Sequence, residues 1–191
     1  MNNDIYSFAA NLLIRYEGFN KTAVWDVNAY RIGHGSDTIT DASGKFRKVK
    51  QGDVTTEANA RKDLERRLKE FENKIIKQIG AEYWEPLNYK VKAALISLAY
   101  NYGSITKPEI KEAIKTGSSE QIANALINST YNDNKKLSEQ VRQALRNRRK
   151  KEADIIRSAP DAKKSGGFNK KLLLIPLIIF AAIYINKRKR K

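Results

Sequence analysis

The chain has 191 residues, enough for one ordinary domain and an appendage, and carries a formal net charge of +16 with no cysteine and a single histidine. Disulfides, thiolate metal sites and cysteine nucleophiles are thereby excluded, a multi-histidine metal centre is excluded too, and any acid–base chemistry falls to carboxylates. The excess of positive charge points to an anionic partner such as phospholipid head groups, an acidic bacterial envelope or nucleic acid.

The N-terminal stretch MNNDIYSFAANLLIRYEGF lacks a basic start and a continuous apolar run, so it reads as a structural helix rather than a secretory signal. Ile5, Phe8, Ala9, Leu12, Leu13 and Tyr16 recur at helical spacing, and Glu17 falls in the last turn, before Gly18. A carboxylate there meets the negative end of the helix dipole, which disfavours its ionised form and suits an acid that must donate a proton. After an eight-residue gap comes Asp26.

From Ala23 to about Lys50, Val, Trp, Tyr and Ile alternate with polar residues and are broken by Gly33, Gly35 and Gly44, the pattern of a short antiparallel sheet. The period switches at Thr56, after which Leu64, Leu68, Phe71, Ile75 and Ile79 form one stripe of a long helix. A second helix is expected from Asn88, carrying Val91, Ala94, Leu95, Leu98 and Tyr102. A shorter one follows Ser118 or Ser119 with Ile122, Ala125 and Leu126 inward, and a last one spans about 138–157. The fold class is α+β, mostly helical with a small antiparallel sheet lobe near the N-terminus.

Beyond residue 157 the composition changes. Residues 161–191 hold nine Lys/Arg against one Asp, half of the net charge. A linker is expected over 158–171, then fourteen uncharged residues, LLLIPLIIFAAIYI, over 172–185, then a basic tail at 186–191. Fourteen residues are short of the roughly 20 that span a bilayer, but Lys170, Lys171 and Lys187 can snorkel, and a segment apolar all round and bracketed by lysines fits a transmembrane helix better than a core helix.

Two carboxylates where a helical body meets a sheet lobe are the usual equipment for breaking a glycosidic bond, one protonating the leaving oxygen and the other serving water or the sugar carbon. The spacing of one Glu and one Asp is weak evidence alone. The segment YEGFNKTAVWDVNAYRIGHGSD, however, resembles the active-site segment of the phage-type lysozymes, the endolysin and autolysin muramidases, in which a Glu ending the first helix is followed after eight residues by an Asp and then by an aromatic, Ile-Gly-x-Gly run. VTTEANARKDL resembles that family's Thr-x-x-Glu-Ala helix start, VKAALISLAYNYGSI its central buried helix, and LRNRRKKEADII its late Leu-x-x-Arg-Arg-x-x-Glu segment.

The resemblance implies a lysozyme-like catalytic domain over 1–157 that hydrolyses the β-1,4 bond between N-acetylmuramic acid and N-acetylglucosamine in peptidoglycan, without a cofactor or metal. Glu17 matches the general acid and Asp26 the carboxylate that handles the attacking water. The family's third residue, a Thr just before Ile-Gly, is replaced here by Arg31, which leaves Arg31, Ser36 and Thr38 as candidates for its role. Inverting, retaining and transglycosylase chemistry all stay open. His34, Tyr30 and Asn101 are candidates for substrate contact, each with packing or capping as the plainer role. The run RNRRKK at 146–151 reads as a solvated helix face rather than a nucleic-acid reader, since it lacks interleaved aromatics. The expected protein is a membrane-anchored wall-degrading enzyme of a bacteriophage, placed in a virion internal membrane or, alternatively, the host inner membrane. The competing readings are a lysozyme-fold membrane protein without chemistry and a basic protein associated with nucleic acid.

Overall fold

The structure is a computed structural model that describes residues 3–131 and 137–162. Helix α1 (Asn3–Glu17) leads into two hairpins, β1 (Asn20–Asp26) with β2 (Ala29–Gly33) and β3 (Thr38–Thr40) with β4 (Phe46–Lys48). The long α2 (Glu57–Ile79) then carries the chain to a helical body of α3 (Ala81–Trp84), α4 (Tyr89–Tyr102), α5 (Pro108–Thr116), α6 (Ser119–Tyr131) and α7 (Glu139–Arg157).

The expected stretch of sheet over 23–50 is two separate two-stranded sheets. β1 and β2 pair antiparallel with Val24 opposite Arg31, Trp25 opposite Tyr30 and Asp26 opposite Ala29, and the register slips between Asn20 and Val24. β3 and β4 pair with Thr38 opposite Lys48 and Thr40 opposite Phe46. What divides them is a tight return in the 32–36 segment, where the Ile32 and Ser36 backbones exchange hydrogen bonds of 2.9 and 3.0 Å. Gly33 sits there with φ of 60°, against α2: a Cβ on it would fall 2.7 Å from that of Ala60.

The sheet lobe is too small for a core of its own and is pinned to α2 through a polar hub. Asp63, buried on α2, accepts hydrogen bonds from Ser36 Oγ at 2.5 Å, Thr38 Oγ1 at 3.0 Å and Thr40 Oγ1 at 2.6 Å. Arg66 Nη2 adds a fourth at 3.0 Å. A buried carboxylate that spends its lone pairs on three hydroxyls and a guanidinium fixes the register of β2–β3 against the helix.

The helical body is built as the periodicity requires. Thr56 caps α2 by accepting from the Asn59 N–H, and Leu64, Leu68, Phe71, Ile75 and Ile79 are buried. Asn88 caps α4 by accepting from the Lys90 N–H. α4 is buried not along a stripe but through every residue from Val91 to Ala99, because α1, α2 and α7 enclose it. Ser138 caps α7. Helix α5, expected from no feature above, begins with Pro108 at a helix-starting position, ends at Gly117 and buries Ile110, Ala113 and Ile114.

The domain continues five residues past the expected boundary at 157. Ala159 is buried, Asp161 Oδ1 accepts from the Ser119 N–H at 2.7 Å at the start of α6, and the Ala162 N–H donates to the Gly117 carbonyl at 2.8 Å. Gly117 makes room for this return, since a Cβ there would lie 2.9 Å from that of Ala162. Residues 158–162 of the expected linker are therefore part of the packed body. The remainder of the linker, the apolar segment 172–185 and the tail 186–191 lie outside the described residues; among the described residues no helix is long and apolar enough to cross a membrane.

Candidate active site

Glu17 closes α1, and Gly18, with φ of 65°, turns the chain out of the helix into β1. Its Oε1 accepts a hydrogen bond from Arg148 Nη1 at 2.8 Å. Its Oε2 faces Gly35, where a Cβ would lie 3.5 Å away, so the absence of a side chain at 35 keeps that flank of the carboxylate open.

Arg148 belongs to a buried set on α7. Glu152, fully buried, accepts from Ser97 Oγ of α4 at 2.6 Å and from Arg148 Nε at 3.3 Å, while Arg149 Nη1 lies 2.9 Å from its other oxygen. Arg148 also stacks over the Tyr16 ring at 4.8 Å, and Arg149 Nη2 donates to Asn101 Oδ1 at 3.3 Å. Burial pushes the Glu152 carboxyl up and, despite Glu152 beside it, the Arg149 guanidinium down. Leu145, Arg148, Arg149, Glu152 and Ile156 follow the i, i+3, i+4 spacing of an inward helix face, the signal that could have revealed the ion pairs. The run 146–151 is thus not one solvated face, because Arg148 and Arg149 are turned into the body.

The loop after β2 is clipped to both neighbouring helices. His34 Nδ1–H donates to the Gly18 carbonyl, and the Tyr100 hydroxyl of α4 donates to the His34 carbonyl at 2.8 Å. Burial, opposed by the nearby Arg67 cation, pushes Tyr100 up to about 12, so it remains a hydroxyl donor at neutral pH. His34 is buried against Phe19 and holds α1's end to the loop.

Asp26 occupies a different setting, the last residue of β1 at the hairpin tip, with its side chain 61% exposed. Arg31 Nε lies 3.7 Å from its Oδ2. Strand alternation places Arg31 and Asp26 on one face of the hairpin and the Trp25–Tyr30 ring pair, 5.1 Å apart and edge-on, on the other. The tip is strained: Val27, β-branched and 89% exposed, has φ of 50°, and the Asn28 N–H donates to the Asp26 carbonyl at 2.5 Å. The hydroxyls of Ser36 and Thr38 are buried and bound to Asp63, so of the three candidates for the third position only Arg31 contacts Asp26 among the described contacts.

The structure thus brings Glu17, Gly35 and Arg148 together, with Arg149 and Asn101 bound to the same buried set, and joins Asp26 to Arg31. Neither acid lines the groove of about 620 Å³ beside Arg61, Lys62 and Lys69 on α2. Among the described residues no group of His, Asp and Glu is placed to hold a metal ion.

A family model described as phage lysozyme matches residues 14–152. Solved structures share the fold. An endolysin from Escherichia coli O157:H7 phage FAHEc1 aligns with a TM-score of 0.60 at 25% identity, over 81% of this chain and 94% of that one. A P22 lysozyme variant aligns with a TM-score of 0.60 at 21% identity, over 78% and 95%. The muramidase domain of SpmX from Asticaccaulis excentricus aligns with a TM-score of 0.59 at 19% identity, over 78% and 94%. No curated protein matches the sequence.

Proposed function

The chain belongs to the phage lysozyme family and is a glycoside hydrolase of the muramidase type, and from that premise we propose that it cleaves the β-1,4 bond between N-acetylmuramic acid and N-acetylglucosamine, with Glu17 as general acid and Asp26 as the carboxylate that handles the attacking water. The observation that carries the assignment is the placement of Glu17 at the end of α1: one oxygen is bound to buried Arg148 and the other faces Gly35, where no side chain covers it. An acid must meet the leaving oxygen at one fixed angle, and the Arg148 bond removes the carboxyl's rotational freedom. Asp26, with its side chain 61% exposed, is open to the solvent from which the attacking water comes. Arg31 takes the position of the family's third residue, since the Ser36 and Thr38 hydroxyls are spent on Asp63. The test is glycan release from purified peptidoglycan by wild type beside Glu17→Gln; wild-type turnover in the variant would falsify the acid assignment.

The enzyme works at a membrane of a phage particle or of its host, held there by residues 172–185 and their flanking lysines. The support is in the sequence: burying that apolar run is worth ~0.8 kcal/mol per methylene, and each flanking cation gains about 1 kcal/mol from anionic head groups. Full-length protein should float with lipid vesicles in high salt, and a chain ending at Ala162 should not. Release of the full-length chain by salt would reduce the tail to an electrostatic clamp.

A further inference from the structure

Arg31 stands between two carboxylates. Its Nε lies 3.7 Å from Asp26 Oδ2, and its Nη1 lies 3.9 Å from Asp37 Oδ1. Asp37 is itself anchored from two directions: Lys48 Nζ of β4 donates to Oδ2 at 2.5 Å, and Arg67 Nη1 of α2 donates to Oδ1. Arg67 lies over the rings of Tyr100 and Phe71 at 5.6 and 5.9 Å, and Tyr100 is the residue that clips the loop beside Glu17. A line of contacts therefore runs from the helical body through Arg67, Asp37 and Arg31 to the exposed tip where Asp26 sits.

We propose that Asp37 is a positioning residue for the hydrolysis, holding the Arg31 guanidinium where it orients the Asp26 carboxylate; this rests on the assignment of Asp26 to the attacking water. An exposed ion pair on a flexible arginine is by itself weakly populated, because side-chain entropy and solvent screening offset most of the attraction. A second carboxylate on the far side of the guanidinium, fixed to two elements, removes that freedom. Asp37 is itself fixed in place, since Lys48 of β4 and Arg67 of α2 bind its two oxygens. Burial pushes the Asp37 carboxyl up, but those two cations outweigh it and hold the group at about 2, so it is an anion wherever the enzyme works. The tip needs such a brace. Its turn is strained at Val27, and no core holds it, with Val24, Trp25 and Val27 all exposed.

The experiment measures kcat and KM of the full-length protein on soluble glycan chains of peptidoglycan. Asp37→Asn should lower kcat about fivefold, with KM within about twofold of wild type. Arg31→Ala should give a loss of similar size, the double variant should lose no more than Arg31→Ala alone, and Asp37→Glu should recover most of the rate. Unchanged kcat in Asp37→Asn overturns the proposal, as do losses that multiply in the double variant. A loss of kcat that disappears when the variant is assayed well below its melting temperature also counts against it. Lys48→Met guards against a folding defect, since that side chain is 78% exposed and loosens Asp37 from outside; kcat should fall by a smaller factor at constant KM, and no change sinks the brace. Glu17→Gln separates the two levels: if it stays active the acid assignment itself fails, and if it is inactive while Asp37→Asn keeps full kcat, only the brace fails.

Discussion

Glu17 and Asp26 stand nine positions apart in the sequence, yet they sit in contrasting surroundings. Around Glu17 the protein is closely packed: a helix terminus, a buried arginine, a fully buried Glu152 and a loop clipped by Tyr100 and His34. Around Asp26 it is a two-residue turn with a strained valine and exposed apolar side chains, braced by an ion pair. The contrast follows the chemistry each acid is given. Under the proposed roles, a proton donor gains from fixed geometry, whereas a carboxylate that handles water as a reactant has to remain open to it.

Removing the acid should have the largest effect: Glu17→Gln should lower kcat on peptidoglycan by about 10²–10⁴ with little change in melting temperature, since the amide oxygen still accepts from Arg148. Asp26→Asn should come close behind, at about 10² or more, and with no cost in stability because the side chain is exposed. The packed side is where stability should respond. Arg148→Met strips Glu17 of its partner and leaves Glu152 with one fewer cation in the interior, so denaturant unfolding should show a loss of about 3–5 kcal/mol. A loss below 1 kcal/mol would mean that the two surroundings differ less than their burial suggests. On the wet side the sign reverses, and Val27→Asn should raise stability by about 1 kcal/mol, because Asn tolerates positive φ where a β-branched residue does not.

The smallest effect is in the pH dependence. The Asp37 carboxyl lies at about 2 in the folded protein against an ordinary 3.8, so its contribution is present above the ordinary value and is lost as pH falls through about 2. Asp37→Asn should therefore be less stable than wild type at neutral pH, by under about 1 kcal/mol given its partial exposure, and the two acid-unfolding curves should converge at low pH. Curves that stay parallel would show that its partners do not favour the charged form.

The helices with a stripe of apolar residues are legible from the sequence, and so are the starts of α2, α4 and α7 near Thr56, Asn88 and Ser138. Helix α5, though bracketed by Pro108 and Gly117, carries only a brief apolar period over its nine residues and so leaves little trace in the sequence. The split of the sheet lobe depends on the backbone bridge between Ile32 and Ser36 and on Gly33 meeting Ala60, a contact between distant parts of the chain. Ser36 and Thr38 are candidates in the sequence because they could supply the hydroxyl of the family's Thr, which Arg31 replaces. Their partner is Asp63, and no local pattern announces that bond.

By itself the sequence determined the helical periods, the nine-residue spacing of Glu17 and Asp26, the four segments that resemble phage-type lysozymes and the change of composition in the apolar tail. These are local properties, set by the repeat of 3.6 residues per turn and by residue chemistry at short spacing. Tertiary structure alone decided that Arg148, 131 positions away, binds the acid, that Asp63 takes up the hydroxyls, that Asp37 faces Arg31 and that residues 158–162 belong to the body. Charges and hydroxyls find partners wherever folding removes them from water, and which partners are in reach is fixed by the packing of the apolar faces rather than by distance along the chain.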